Sequence, residues 1–181
     1  MNFFIQFLTN SRIICGPIIF LVALIFENYS LCLLLFFYAA ISDFLDGYLA
    51  RKYNLASDLG VIFDPIADKI LTLFLILTFT LIYQSAYIAF VGGIILLREF
   101  WVGGLRNLNA ERRRENATSV TFLAKTKTTI QFLAFGGYLI SLSFNNAFIG
   151  FLADIFLMTA LILTIQTGLA YTVSTFQNPK K

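Results

Sequence analysis

The stretch SDFLDGYLARKYNLASDLGVIFDPIADK, residues 42 to 69, places carboxylates, glycines and an arginine inside an otherwise apolar chain. Four of its five aspartates stand at fixed spacings, in the order DxxDGxxAR, eight residues, then GxxxDxxxD: Asp43, Asp46, Asp64 and Asp68. A carboxylate at bilayer depth costs roughly 2.5 to 3.5 kcal/mol, so four of them among Leu, Ile and Phe need a common purpose. A pair of divalent metal ions suits four clustered carboxylates.

The composition predicts an integral membrane protein. Hydrophobic residues make up 59% of the chain, 21 residues are Phe, and the mean hydropathy is +0.81, which is more apolar material than a soluble core of this size can bury. Most of the apolar stretches approach the roughly 20 residues that cross a bilayer as a helix. The six stretches are residues 13 to 26, 31 to 49, 66 to 83, 86 to 105, 122 to 144 and 148 to 172.

We therefore predict an all-α integral membrane protein with six transmembrane helices, forming one domain over residues 1 to 181. The first apolar stretch is short enough to resemble a signal peptide, but it contains Pro17 and no small-residue cleavage site follows it. We interpret it as a retained helix, preceded by a short interfacial helix within residues 1 to 10.

The distribution of Lys and Arg predicts the orientation in the membrane. Residues 27 to 31, 84 to 87 and 144 to 148 contain neither residue type. All 13 basic side chains fall in the alternate set: Arg12, then Arg51, Lys52 and Lys69, then residues 98 to 127, and finally Lys180 and Lys181. Because basic residues in short loops stay on the cytoplasmic side, both termini and the aspartates are expected to face the cytoplasm of a cell membrane. The net charge of +3 then reflects a basic face beside anionic headgroups and gives no reason to expect nucleic acid as a partner.

Helical spacing gathers the first half of the aspartate motif on one side of the second helix. Asp43, Asp46, Gly47 and Ala50 stand at i, i+3, i+4 and i+7, which places them on a single stripe. The two small residues leave room for a ligand beside the helix, and Arg51 adds a fixed cation suited to phosphate.

The second half of the motif opens the third helix. Asp64 and Asp68 stand at i and i+4, with Pro65 expected in the first turn, where its missing N–H does no harm. A short loop joins the second and third helices, so we expect them to be antiparallel neighbours whose carboxylates converge. Hard oxygen ligands select magnesium, manganese or calcium. The chain has no His, and Cys15 and Cys32 fall in or beside apolar helices, so a zinc site is not expected.

The motif resembles the signature of the CDP-alcohol phosphotransferase family. Eight defined positions match it without a gap: Asp43, Asp46, Gly47, Ala50, Arg51, Gly60, Asp64 and Asp68. The resemblance implies a six-helix membrane enzyme, usually a homodimer, that transfers a phosphatidyl or related group from a CDP-linked donor to an alcohol and releases CMP. It also implies two divalent cations, Mg2+ or Mn2+, on the four aspartates.

The same resemblance implies roles for the remaining residues. Asp43, Gly47, Arg51 and Gly60 would form the CDP site, and Asp68 would be the base. A carboxylate is a weak base for an alcohol, so Asp68 would act on a hydroxyl already polarised by metal or position.

Three segments outside the motif indicate the acceptor: LTNSR at residues 8 to 12, REFWVGGLR at 98 to 106 and KTKTT at 125 to 129. They resemble the branch of the family that uses CDP-diacylglycerol and glycerol 3-phosphate. Because glycerol 3-phosphate is a dianion, convergent cations at the cytoplasmic edge would bind its phosphate. The candidates are Arg98, Arg106, Lys125 and Lys127.

Other interpretations stay open at this point. The acceptor could be phosphatidylglycerol, as in a cardiolipin synthase, or inositol phosphate or serine. Arg98 beside Glu99 could be an ion pair that packs helices, and Lys125 and Lys127 could be snorkelling anchors. A divalent-cation transporter would also carry intramembrane carboxylates, although these aspartates lie at one membrane edge with no polar continuation beyond them.

Overall fold

The chain folds into six α-helices in the computed structural model, which describes residues 2 to 53, 58 to 113 and 121 to 177. These ranges contain no strand. The helices are α1 (Asn2–Ile25), α2 (Tyr29–Tyr53), α3 (Asp58–Tyr83), α4 (Ala86–Glu111), α5 (Phe122–Phe144) and α6 (Ala147–Gln177). Each helix covers one of the six apolar stretches, apart from Phe26 just beyond α1, so the predicted all-α class is confirmed.

Two predicted helix boundaries are wrong. Residues 2 to 10 do not form a separate interfacial helix, because α1 runs without a break from Asn2 to Ile25 and contains no Gly or Pro before Gly16. The third helix begins at Asp58, so Pro65 lies inside it rather than in its first turn. A proline there removes one backbone hydrogen bond, which helices packed in membranes tolerate when neighbouring groups compensate.

By length and composition, three helical segments of the described chain could cross a membrane. They are Pro65–Tyr83, Ala86–Glu111 and Ala147–Gln177. Helices α1 and α2 contain shorter apolar segments, Asn10–Ile25 and Tyr29–Leu45. Large apolar side chains remain exposed along the outside of the bundle, as in Phe90, Leu97 and Leu169, which is consistent with lipid contact.

The helices pack as a closed ring of neighbours. Helix α1 packs against α2 and α3, α4 packs against α3 and α6, and α5 packs against α2 and α6. We expected α2 to lie directly beside α3, but in the described part of the chain each of them packs mainly against α1. The short connection constrains only the adjoining ends of α2 and α3, and α1 occupies the space between their main packing faces.

The interior of the ring changes in character along the helices. One half of the bundle contains the C-terminal ends of α3 and α5, which lie furthest from the aspartate motif. In this half the centroid of the aromatic ring of Phe79 lies 5.9 Å from that of Phe135 and 5.0 Å from that of Tyr138. The Tyr138 hydroxyl donates a 2.6 Å hydrogen bond to the Asp154 carboxylate, and the Tyr87 hydroxyl donates to the Asp154 carbonyl. The other half, which holds the motif, is lined by charged and amide side chains.

Helices α3 and α4 approach each other closely at Gly92. A β-carbon at this position would overlap Cγ2 of Ile76 and lie 3.0 Å from its Cδ1. Ile76 is buried and β-branched, so it has little rotamer freedom with which to move away. At the neighbouring Gly93, no described atom lies within 4 Å of an added β-carbon.

We therefore expect Gly92→Ala and Gly93→Ala to have opposite effects on stability. Gly92→Ala should destabilise the fold by about 1 to 3 kcal/mol, because the added methyl group overpacks the contact with Ile76. Gly93→Ala should be neutral or stabilising by up to about 1 kcal/mol, because alanine is the better helix former. Thermal unfolding of the two purified variants in detergent measures the difference. Equal shifts in Tm would contradict this packing.

Candidate active site

Arg12 joins the two ends of the aspartate motif. Its guanidinium lies in α1 with only 1% of the residue exposed. The same nitrogen, Nη1, donates to Oδ1 of Asp43 on α2 and, at 3.0 Å, to Oδ1 of Asp68 on α3. The carboxylates of these two aspartates are about half exposed, at 49% and 53% of their side-chain surface. The convergence that we expected for the two carboxylates therefore occurs over a buried cation of a third helix.

The other motif positions lie on the same two helices. The backbone is helical through residues 43 to 53 and 58 to 68, so the spacings of i+3 and i+4 used above hold in the structure. The side chains at several of these positions lie outside the described residues, and only their helical backbone is known: Asp46, Gly47, Ala50, Arg51, Gly60 and Asp64.

Asp43 and Asp68 suit a hard divalent cation. Their carboxylates come from different helices, are open to solvent on one side and already share a cation, Arg12. Carboxylate oxygens are the ligands that Mg2+ and Mn2+ prefer. Among the described side chains, no group of three or more candidate ligands occurs, because two of the four predicted carboxylates are not in that set. Two of the four predicted metal ligands, Asp43 and Asp68, therefore have described side chains, and their chemistry fits a divalent cation.

A second cluster of charges centres on Glu99 of α4. The ammonium of Lys127 on α5 donates a hydrogen bond to Oε1 of Glu99, and Nη1 of Arg98 lies 3.2 Å from the same oxygen. Arg98 and Lys127 are both buried, at 9% and 4% exposure. Nη2 of Arg98 donates a 2.7 Å hydrogen bond to Oγ1 of Thr167 on α6. One carboxylate thus holds two buried cations and connects α4 with α5.

The remaining two predicted acceptor residues differ in position. Arg106 is exposed but interacts electrostatically with both Glu99 and Lys127. Lys125 is also exposed, and it stands two residues from Lys127, on a different side of α5. The structure therefore gathers Arg98, Arg106 and Lys127 around Glu99, which we call the Glu99 cluster, and leaves Lys125 outside it.

The aspartates and the Glu99 cluster lie at the same height in the bundle. Lys69, which follows Asp68, places its ammonium 5.1 Å from the centroid of the Phe100 ring, and Phe100 follows Glu99. The Lys69 ammonium also lies 3.0 Å from the position of a β-carbon at Gly103. The aspartates on α2 and α3 and the cations on α4 and α5 therefore share one polar half of the bundle.

Sequence reasoning missed two contributions to this site. Arg12 was considered only for its charge and as part of the segment LTNSR, although an arginine inside an apolar helix predicts a buried partner. Glu99 was considered as a partner of Arg98 alone, because no pattern in one sequence shows that Lys127 reaches it from another helix.

Comparison with known proteins agrees with the motif. The model of the family described as CDP-alcohol phosphatidyltransferase matches residues 5–166. A protein of Rickettsia bellii (strain RML369-C) named CDP-diacylglycerol–glycerol-3-phosphate 3-phosphatidyltransferase is 39% identical over 169 residues, which cover 92% of this chain and 91% of that protein.

Proteins of the same name show lower identity over similar lengths. The one from Haemophilus influenzae is 34% identical over 168 residues, 91% of this chain and 89% of that protein. The one from Shigella flexneri serotype 5b is 30% identical over 166 residues, 91% of this chain and 90% of that protein. The family match includes the aspartate motif, Arg12 and the Glu99 cluster. The chain belongs to the CDP-alcohol phosphatidyltransferase family.

Proposed function

We propose that this protein transfers the phosphatidyl group of CDP-diacylglycerol to sn-glycerol 3-phosphate, giving phosphatidylglycerophosphate and CMP. The observation that carries the proposal is the convergence of Asp43 and Asp68 on Arg12, at the same height as a cluster of buried cations. The first feature suits attack on a pyrophosphate, and the second suits an acceptor that carries a phosphate. The names of the relatives support the same donor and acceptor.

Four carboxylates of this chain would hold two divalent cations, Mg2+ or Mn2+: Asp43, Asp46, Asp64 and Asp68. When bound, the ions would neutralise charge that develops on the phosphorus under attack and on the departing CMP. Arg12 fixes the separation of Asp43 and Asp68 and offsets their mutual repulsion. A site that is ordered before the substrate arrives needs little reorganisation during the reaction.

The same half of the ring would bind the donor and activate the acceptor. Asp43, Gly47, Arg51 and Gly60 would form the CDP site, on the helical segments that border the α2–α3 connection. Asp68 would accept the proton of the attacking hydroxyl. The hydrogen bond from Arg12 orients one oxygen of Asp68, which compensates in part for the weak basicity of a carboxylate by fixing its position.

The Glu99 cluster would bind the phosphate of the acceptor. Three cations around one carboxylate leave positive charge in excess, and burial strengthens the attraction of an anion to Arg98 and Lys127. Nε of Arg98 is buried and has no hydrogen-bond partner among the described residues. Lys125 would act only at the exposed entrance, because its side chain lies apart from the cluster.

The positive charge of the Glu99 cluster also favours some of the possible acceptors over others. Serine carries no phosphate, and phosphatidylglycerol offers a singly charged diester with bulky acyl chains, so neither uses a compact buried set of cations well. Inositol phosphate shares the required dianion and remains the alternative on charge alone. The names of the relatives favour glycerol 3-phosphate over it.

We further propose that the protein is a multi-pass protein of the cell membrane, with six spanning helices, cytoplasmic termini and its active site on the cytoplasmic face. The charge distribution supports this orientation, since the connections at the aromatic end of the bundle carry no Lys or Arg. Family resemblance also supports a homodimer.

The central test is CMP release by the purified protein with CDP-diacylglycerol and Mg2+. We expect release with glycerol 3-phosphate and none with phosphatidylglycerol, inositol phosphate or serine, and we expect a chelator to abolish it. Asp68→Asn should lower the rate by at least about 100-fold, the effect typical of a lost general base. Asp154→Asn is the matched control at the far end of the bundle and should keep the activity, because an amide oxygen can still accept from Tyr138.

Each other outcome of this experiment has a definite meaning. Release with a different acceptor would preserve the family and refute glycerol 3-phosphate as the substrate. Absence of release with every acceptor would refute the transferase and favour binding or transport of divalent cations.

The phosphate-binding role of the Glu99 cluster predicts a selective effect of Lys127→Gln. The KM for glycerol 3-phosphate should rise at least about tenfold, because a charge-assisted contact to the phosphate is lost, whereas the KM for CDP-diacylglycerol should not change. Lys127→Arg should retain most of the affinity. Arg112→Gln, which removes an exposed cation beyond the end of α4, serves as the control. Equal changes in both KM values would argue against the assignment.

The proposed orientation predicts which sites react with an impermeant maleimide in intact cells. Cys15→Ala and Cys32→Ala remove the two native thiols, which are buried. In that background, Ser30→Cys should be labelled from outside, and Arg112→Cys should be labelled only after permeabilisation. Both residues are exposed, so permeabilised cells provide the positive control for each. The opposite pattern would show that the active site faces outward.

A further inference from the structure

Gln131 is a buried amide that the reaction described above does not use. It lies on α5 with 4% of its surface exposed, and its Nε2 is 3.4 Å from Oγ1 of Thr72 on α3, which is also buried. Its Oε1 has no hydrogen-bond partner among the described residues. An unsatisfied buried carbonyl oxygen destabilises the fold, so such a group indicates a missing partner.

The unsatisfied position does not depend on how the amide is oriented. The oxygen and nitrogen of a glutamine side chain are assigned from hydrogen bonding, and the Thr72 hydroxyl can either donate or accept. In either orientation one end of the amide faces Thr72, and the other end has no partner in the part of the chain that the structure describes. A ligand hydroxyl can satisfy either end, because it is both a donor and an acceptor.

The contact between Gln131 and Thr72 crosses the interior of the ring directly beneath the proposed active site. Thr72 is one helical turn beyond Asp68 on α3, and Gln131 is one turn beyond Lys127 on α5. One turn further along α5, the ring of Phe135 packs against Phe79. The pair therefore forms the floor of the polar half, below both the aspartates and the Glu99 cluster.

Glycerol 3-phosphate presents three polar groups to such a site. Its phosphate would contact the Glu99 cluster, and the reacting hydroxyl at the other end of the molecule would approach Asp68. The hydroxyl on the central carbon then lies between these two points, over the floor. Gln131 is the described side chain that has an unsatisfied polar atom at this level between α3 and α5.

We propose that the Gln131 amide binds the central, non-reacting hydroxyl of the acceptor and so makes the enzyme selective for a vicinal diol phosphate. This inference depends on the proposed function, because it assigns a further contact to the same acceptor. Gln131 acts here as a specificity-determining residue, and Thr72 holds its amide in place. The contact distinguishes glycerol 3-phosphate from a phosphorylated alcohol of equal length that lacks the central hydroxyl.

The test compares two acceptors, sn-glycerol 3-phosphate and 3-hydroxypropyl phosphate, which differ only in that hydroxyl. The purified full-length chain with CDP-diacylglycerol and Mg2+ should have a kcat/KM at least tenfold higher for glycerol 3-phosphate, equivalent to about 1.4 kcal/mol. Gln131→Met keeps the length of the side chain and removes its polar atoms. It should reduce the preference to about twofold or less, by slowing the reaction with glycerol 3-phosphate and not that with the analogue.

Two further variants separate recognition from packing. Gln131→Glu retains an acceptor oxygen and should keep a preference for glycerol 3-phosphate. Ser141→Ala removes a buried polar group elsewhere on α5, where the hydroxyl donates to the carbonyl of Asn146, and should leave the ratio of the two kcat/KM values unchanged. A purely structural role of Gln131 would lower activity with both acceptors equally.

The outcomes distinguish failure of this inference from failure of the proposed function. Equal kcat/KM values of the unmodified protein for the two acceptors would refute the inference. This comparison needs no variant, so the inference can be tested even if Gln131→Met fails to fold. An undiminished preference in folded Gln131→Met would also refute it, while leaving the transferase intact. Activity with neither acceptor would refute the proposed function and the inference together.

Discussion

The structure depends on how a charge buried in an apolar bundle finds its partners. Arg12 is almost wholly buried in α1, and an unpaired guanidinium there would be strongly destabilising. Its contacts with Asp43 and Asp68 fix α1 relative to α2 and α3. Solvent screens the charge of both carboxylates, because they are half exposed. The largest energetic term among these three residues is therefore the cost of burying the Arg12 guanidinium. The interaction that stabilises the three-helix contact is thus also the one that positions the candidate metal ligands.

The Glu99 cluster obeys the same constraint with the charges reversed. One carboxylate is shared by Lys127 and Arg98, and Arg106 adds further positive charge nearby. A cluster selected for stability alone would balance its charges, since excess buried charge is unfavourable. The imbalance is explained if an anionic substrate completes the cluster. The folded protein would then be less stable without the substrate, and the phosphate of a bound substrate would supply the missing negative charge.

Much of this arrangement could be predicted from the sequence, because apolar length and basic loops determine helix number and the aspartate spacing determines a shared helix face. The location of α1 between the main packing faces of α2 and α3 could not be, since the connection constrains only the helix ends. Pro65 was misplaced because proline signals a first turn in soluble helices more reliably than in membrane ones. Contacts such as Arg12 with Asp43 join residues 31 positions apart, and local periodicity carries no information about them.

The division of the interior into an aromatic half and a polar half explains how one small bundle can be both stable and reactive. The aromatic half packs the rings of Phe79, Phe135 and Tyr138 against one another, which stabilises the fold away from the reacting groups. The polar half contains buried groups that are only partly satisfied, among them Arg98 and Gln131. Thr72 and Gln131 mark the boundary, and one turn above them Asp68 on α3 and Lys127 on α5 border the polar space. A short acceptor that fills this space would touch the aspartates, the cations and the amide at once, which converts binding into the orientation that the transfer requires.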